Sequence, residues 1–333
     1  MPSTIIVGGF FGDEGKGKII SYLAMKDNPT VVVRGGAGPN AGHTIKEGDK
    51  VYKVRMLPSG FLNKKAKVMI GPGVVINPDV LLKEIHDFGT SGRSFIDRNC
   101  GIIDDEHRAQ DSKGELKEKI GSTGSGTGPA NASRAMRTLR LAKDVDSLSE
   151  YLIDVPEVIN STLDSGENVL IEGTQGTFLS LWHGTYPFVT SKDVTASGIC
   201  AYIGLGPKKV NEVVVVFKSY VTRVGTGPLE NELDNEETTK RGWAEFGTVT
   251  GRPRRAADFD FDLAKRAVML NSATQIAITK LDVRFPECQG KTSYDKLSDE
   301  AKAFIKNIED QLKVPVTLLG TGPTVDDIID RRK

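Results

Sequence analysis

An excess of charge of either sign is missing from this sequence: 44 lysines and arginines are matched by 44 aspartates and glutamates, for a formal net charge of +0. With no global field to gather a polyanion, nucleic acid is not an expected partner. Cysteine is scarce, with three residues, Cys100, Cys200 and Cys288, far apart and without CxxC spacing. That spacing argues against a disulfide framework and a zinc site, leaving ordinary core or surface thiols. Long apolar runs are absent as well; the densest covers residues 213–217, short of the roughly 18 residues that span a bilayer. Residues 1–11 are apolar but lack a basic segment and run into Asp13, Glu14, Lys16 and Lys18, unlike a secretory signal. No membrane partner is expected, and the cytoplasm is the expected compartment.

Glycine, by contrast, is plentiful at 36 residues, and it clusters. It gathers behind short β-branched runs at 4–7, 30–33, 68–70, 168–171, 213–216, 276–279 and 316–319, which read as buried strands. Helix-like stretches fall at 18–26, 79–86, 145–163, 262–270 and 298–312. Strands alternating with helices imply an α/β fold, a mainly parallel central sheet with flanking helices. The strand tails read GGFFGDEGKGK, RGGAGPNAGHT, GPG, EGTQGT, KSYVTRVGTG, KLD and GTGP. Ligands of open parallel sheets sit outside the carboxyl ends of the strands, so these tails should meet at one cleft. Residues 99–142 carry charge and glycine but few apolar side chains, as a long surface excursion or lid would. No repeat or linker stands out, and residues 1–333 read as a single domain with insertions.

The first tail contains GDEGKGK at 12–18, after a strand and opening a helix. Glycines there let backbone N–H groups approach phosphate oxygens, the helix N-terminus adds partial positive charge, and lysine adds a full one. Gly12, Gly17 and Lys18 satisfy G-x-x-x-x-G-K, so the fold class is P-loop NTPase-like, but Ile19 stands where a serine or threonine would hold magnesium. Asp13 is the nearest oxygen donor to take over. Two carboxylates beside phosphate, Asp13 and Glu14, need a metal or a proton transfer to justify them.

In the second tail lies GPNAGHT, 38–44, where His43 is either a general acid or an ordinary hydrogen-bonded loop histidine. Lys280 and Asp282 end a third strand in TKLD, similar to the N-K-x-D guanine reader of GTP-binding proteins. A carboxylate accepts from the N1–H and 2-amino groups of guanine, and a site built for such donors rejects analogues lacking them by about 10⁴–10⁵-fold. A solvated strand end would carry the same residues. TVTGRPRR at 248–255 offers hydroxyls, a glycine hinge and three arginines suited to carboxylate and phosphate. The acidic run 104–106 lacks EF-hand spacing and reads as solvated surface.

Together GDEGKGK, NAGHT, EGTQGT, HGTYPFVTS, TRVGTGP, GRPRR, TKLD and GTGP resemble adenylosuccinate synthetase, in that family's order and from end to end, in a compact form without long insertions. The resemblance implies a ligase in which GTP phosphorylates the 6-oxygen of IMP and L-aspartate displaces the phosphate. The products would be adenylosuccinate, GDP and phosphate, the first committed step from IMP to AMP. It implies Asp13, His43, Lys16 and Gln175 as catalytic residues, and Mg2+ on Asp13 and the Gly42 carbonyl. For GTP it implies Gly12, Glu14, Gly15, Lys16, Gly17 and Lys18 in the first loop, then Gly42, Thr44 and Arg254 near ribose and phosphates. Lys280, Leu281, Asp282, Gly320, Thr321 and Gly322 would hold the guanine end.

For IMP the resemblance implies Asp13, Asn40, Ala41, Thr123, Gln175, Thr190, Val224 and Arg252. Arg137 would reach a neighbouring subunit's IMP, and hence a homodimer. Aspartate would lie under Thr248, Val249, Thr250, Gly251, Arg252 and Arg254. Two departures touch that loop: Pro253 stands where the family commonly has arginine, and Val249 where threonine is common. A guanine-nucleotide switch protein would share the P-loop-like turn and the K-x-D but leaves Gln175, Thr190 and the arginine loop unexplained. A relative that adds aspartate to a 2-aminopurine nucleotide such as dGMP replaces the P-loop aspartate, which here remains as Asp13.

Overall fold

The computed structural model describes residues 3–113, 118, 120–247 and 251–332. In chain order its strands are β1 (Ser3–Gly8), β2 (Val31–Arg34), β3 (His43–Glu47), β4 (Lys50–Val54), β5 (Lys67–Ile70), β6 (Val75–Ile76), β7 (Ser94–Asp97) and β8 (Gly101–Ile102). They continue as β9 (Leu152–Ile153), β10 (Val169–Gly176), β11 (Glu212–Lys218), β12 (Val221–Val224), β13 (Arg254–Ala257), β14 (Gln275–Thr279), β15 (Val316–Gly320) and β16 (Ile328–Asp330). A 10-stranded sheet in the order β16-β15-β14-β11-β1-β10-β2-β5-β7-β9 forms the centre. Its strands pair in parallel except β16, which returns antiparallel to β15.

β1 lies between β10 and β11 with both faces covered, as its unbroken apolar sequence requires. Ile5 and Val7 face a core shared with Phe10, Ile199 and Phe217, while Ile6 points the other way onto Ile19, Ile20 and Leu23. Those three belong to helix α1 (Lys16–Asp27), and each such buried aliphatic side chain stabilises the fold by about 1.5–3 kcal/mol. α1 starts at Gly15, whose φ of 85° is open to glycine at little cost, and ends at Asn28, also left-handed. The chain after β1 runs through α1 to β2, on the side that β10 later fills, and reaches β11 and β14 on the other side. The strand order therefore reverses beside β1, opening a crevice at the carboxyl ends.

Each strand expected from the sequence lies in this sheet. The expected helix at 145–163 is instead a 3-10 segment Asp146–Tyr151, the edge strand β9 and a helix Val155–Asp164. Pro156 has no N–H to donate and starts a new helix, and Asp154 caps it by accepting from the Glu157 N–H at 3.0 Å. The stretch expected as an excursion, 99–142, holds more structure than its composition suggests. It carries β8 and the helices Asp105–Asp111 and Thr127–Ala135, the latter seated through buried Ala130 and Asn131. All three cysteines are buried. No helix among the described residues is long and apolar enough to cross a membrane.

Candidate active site

The tails behind β1, β2, β10, β12 and β14 surround one cavity of about 650 Å³. Asp13, His43, Gln175 and Asp282, distant in sequence, all line it. So do Gly12, Gly15, Lys16, Gly17 and Lys18 of the first loop, Asn40 to Thr44 of the second, and Thr123, Thr190, Val224, Arg252, Arg254, Lys280 and Gly322.

The first loop is shaped from beneath by Glu14, which is 1% exposed. Its carboxylate accepts from the Phe10 N–H at 3.1 Å and the Gly12 N–H at 2.8 Å, and pairs with Lys16 Nζ at 2.8 Å. A Cβ on Gly8 or on Gly176 would stand 2.4 Å from this carboxylate, so both strands must bring bare backbone to it. Glu14 therefore builds the loop rather than lining the cavity. Asp13, at φ 60°, is turned the opposite way, a third exposed and 2.9 Å from Arg254 Nη2. Lys18 leaves the loop altogether: its ammonium donates to the carbonyls of Gly322 at 2.6 Å and Asp327 at 2.7 Å. Burial pushes its pKa down to about 8 against the pull of Asp327 and Asp282.

His43 begins β3 with Nδ1 2.8 Å from Glu172 Oε1 and 2.7 Å from Ser59 Oγ. Glu172, fully buried in the middle of β10, also accepts from the Ser59 N–H at 2.5 Å. Burial alone would raise its carboxyl; the neighbouring His43, Arg34 and Ser59 N–H outweigh that and hold it below the usual range. An ionised carboxylate only accepts, so Nδ1 carries the proton toward Glu172 and Nε2 is left for chemistry.

Opposite the loop, Gln175 sits at φ 56° with Nε2 donating to Asn40 Oδ1 at 3.1 Å, and Asn40 Nδ2 reaches Thr190 Oγ1 at 3.4 Å. Arg252 Nη1 donates to the Gly121 carbonyl at 2.9 Å, closing the far wall near Thr123. Two buried acceptors on residues that line the cavity have no hydrogen-bond partner among the described residues, Gln175 Oε1 and Asp282 Oδ1. Buried acceptors of that kind are normally paired, so both suit a ligand's donors. Burial raises the Asp282 carboxyl, opposed by Lys280 and Lys18.

Some expected residues stand elsewhere. Leu281 is a core side chain and Thr321 is buried with its hydroxyl on the Lys291 carbonyl, while Gly320, beside it, ends β15. Gly251 is exposed at the hinge of the arginine loop, and Thr248, Val249 and Thr250 lie outside the described residues. Arg137 is exposed and left-handed at φ 66°, away from the cavity and next to Met136, which is 74% exposed. Ser59, Glu172, Arg223 and Glu245 also shape the site, though none of them stands out in the sequence. Glu172 and Arg223 were within reach, since each sits in a quoted motif; Ser59 and Glu245 carry no local signal. Arg223 stacks on Phe11 at 4.3 Å and donates to the Pro228 carbonyl and Thr185 Oγ1, each at 2.7 Å, bracing the rim formed by 185–188.

The oxygen donors suited to a hard cation are few. Among the described residues no three His, Cys, Asp or Glu side chains cluster as metal ligands. Asp13 and Gly42 line the same cavity, a sparse set of the kind that serves an ion arriving with phosphates.

The adenylosuccinate synthetase family model matches residues 5–145 and 138–287. The adenylosuccinate synthetase of Methanocaldococcus jannaschii is 56% identical, over 99% of this chain and 96% of that protein. That of Methanosphaera stadtmanae is 51% identical, over 100% and 98% respectively. Fully ligated adenylosuccinate synthetase from Plasmodium falciparum matches the structure with a TM-score of 0.93 at 29% identity, covering 99% of each chain. Cyanophage S-2L succinoaminodeoxyadenylate synthetase, solved with dGMP and with dATP as an energy donor, gives 0.83 at 27% identity, covering 100% of this chain and 96% of that one. With profile, sequence and structure agreeing over nearly its whole length, the chain belongs to the adenylosuccinate synthetase family.

Proposed function

We infer that this cleft performs the GTP-dependent joining of L-aspartate to IMP, giving adenylosuccinate, GDP and phosphate through 6-phosphoryl-IMP. The observation that carries this reading is the meeting of a glycine-rich loop, the half-buried carboxylate of Asp282 and an arginine loop around one cavity. The ring oxo group of IMP is a poor leaving group, whereas a phosphoryl ester departs readily, so GTP activates the carbon that the aspartate amine attacks.

In this reading Asp13 accepts the N1 proton of IMP, which moves charge onto the 6-oxygen as it attacks the γ-phosphoryl group. Lys16 stands in the loop beneath that group, and His43, acting as an imidazolium whose Nδ1–H is held by Glu172, donates from Nε2 to the developing charge. Gln175 and Asn40 hold the purine, with Thr123, Thr190, Val224 and Arg252 about it. Asp282 accepts from guanine. The aspartate carboxylates face Arg252 and Arg254. Mg2+, bound by Asp13, the Gly42 carbonyl and the phosphates, would neutralise charge on the transferring group. Phosphate release should require GTP, IMP, L-aspartate and Mg2+ together; release without IMP or aspartate would replace ligation by plain hydrolysis. Residues 1–333 act as one unit in this scheme, and the cytoplasm is its proposed compartment.

A 2-aminopurine nucleotide as acceptor is not favoured, since full-length relatives at 51–56% identity are adenylosuccinate synthetases. A guanine-nucleotide switch protein is likewise disfavoured.

Removing the Glu172 charge should leave His43 in place but poorly aimed. Glu172→Gln is expected to lower kcat by about 10²-fold, in the range of general acid catalysis, with the KM for GTP little changed. Steady-state kinetics that put the loss in KM instead would take His43 out of the acid role.

The exposed Arg137 and Met136 support a homodimer in which Arg137 reaches the partner's IMP. Arg137→Leu is then expected to raise the KM for IMP about tenfold, as loss of a charged hydrogen bond does. Mixing Arg137→Leu with Asp13→Asn subunits should restore activity at low IMP, because one site per hybrid is intact. No recovery on mixing would count against a shared site.

A further inference from the structure

Glu245 takes no part in the chemistry above, yet its carboxylate, 12% exposed, is a meeting point. Oε2 lies 2.7 Å from Lys218 Nζ and accepts from Arg254 Nη1; Oε1 accepts from Tyr220 Oη at 2.5 Å and lies 3.7 Å from Lys280 Nζ. These groups come from separate places: Lys218 ends β11, Tyr220 follows in the turn, Arg254 starts β13 and Lys280 follows β14. Burial alone would raise the Glu245 carboxyl, but Lys218, Lys280 and Arg254 hold it well below the usual range.

The backbone of Glu245 does related work. Its carbonyl accepts from the Arg254 N–H at 2.9 Å, Gly247 N–H donates to the Arg252 carbonyl at 2.8 Å, and Phe246 bridges to Pro253. Glu245 is thus the foot of the loop that carries Arg252 and Arg254. Beyond it, Arg254 reaches Asp13 at 2.9 Å while its Nε finds no partner among the described residues. Lys218, Arg254 and Lys280 face the carboxylates of Glu245 and Asp13, with Asp282 acting on Lys280 as well, so three cations meet three anions and the loss of the Glu245 charge would unbalance the cluster.

We propose that Glu245 is a positioning residue that couples the two ends of the cleft: one buried carboxylate sets Arg254 at the aspartate end and draws Lys280 in at the guanine end. The proposal rests on reading Arg254 and Lys280 as substrate-binding groups. A carboxylate that merely neutralised buried Lys218 would affect stability and not the two substrates together.

The test measures kcat and each KM by phosphate release for the wild-type protein, Glu245→Gln, and the double variant Lys218→Met/Glu245→Gln, which removes both buried charges and so avoids stranding the lysine. In both variants the KM for aspartate and the KM for GTP should rise together, each by about tenfold or more, as when charged hydrogen bonds are lost, with a smaller change in kcat. A variant that melts at the wild-type temperature yet keeps both constants within about twofold, or loses only one, overturns the coupling. Wild-type protein that releases no phosphate with GTP, IMP and aspartate would instead overturn the reading of the cleft itself.

Discussion

Asp13→Asn should abolish turnover, lowering kcat by at least about 10³-fold, within the range spanned by general bases. The change is nearly isosteric, and asparagine tolerates the left-handed backbone that Asp13 adopts at φ 60°, so the loop should keep its shape. Asp13 is a third exposed, and its pairing with Arg254 contributes about 0–1 kcal/mol to stability, so the fold should be indifferent to its loss. What disappears is an acceptor for the N1 proton and an anionic ligand for the metal. Glu14 and Gly12, which shape the phosphate loop, are untouched, so GTP affinity measured by calorimetry without IMP should change little. Activity within tenfold of wild type would remove Asp13 from the role of base. The contact with Arg254 adds a corollary: the arginine must swing from Asp13 before that carboxylate can serve IMP, and an anionic group of aspartate is the natural competitor for it.

Asp282→Asn should change which nucleotide drives the reaction. The carboxylate offers two acceptors, one of them buried without a partner, and guanine offers two donors to match. Asparagine presents one acceptor and one donor, so the 2-amino group of guanine would meet another N–H. Loss of one charge-assisted hydrogen bond, of the charge behind the other, and the new N–H to N–H clash lower kcat/KM for GTP by about 10²–10⁴-fold. Xanthine carries N1–H beside a 2-oxo group, the complement of asparagine, and XTP should gain what GTP loses. Competition assays with GTP, ATP and XTP on both proteins check this. If the wild-type protein uses ATP and GTP equally well, Asp282 is no guanine reader.

The strands of the sheet centre were legible because their β-branched runs are buried on both faces and leave nothing to alternate with. Edges were harder. β9 and β16 consist of two and three residues, too short for any pattern, and exist because β7 and β15 offer them a partner. The helix expected across 145–163 failed at Pro156, whose missing N–H outweighed a suitable apolar spacing. Within the cleft, residues of the glycine tails could be named in advance because close backbone approach needs glycine wherever it occurs. Glu14 illustrates the limit: spacing put it beside the phosphates, but its burial beneath Gly8 and Gly176 depends on strands more than 150 positions apart in sequence. Ser59 and Glu245 act through partners that sequence proximity does not reveal, and so no local pattern marks them.

The donors of Lys18 to the carbonyls of Gly322 and Asp327 tie a residue near the start of the chain to residues near its other end. During synthesis, the phosphate loop leaves the ribosome some three hundred residues before its last supports. A nascent chain therefore carries its glycine-rich loop long before the residues that anchor Lys18, and a chain that stopped before residue 322 would lack both carbonyl partners of that lysine.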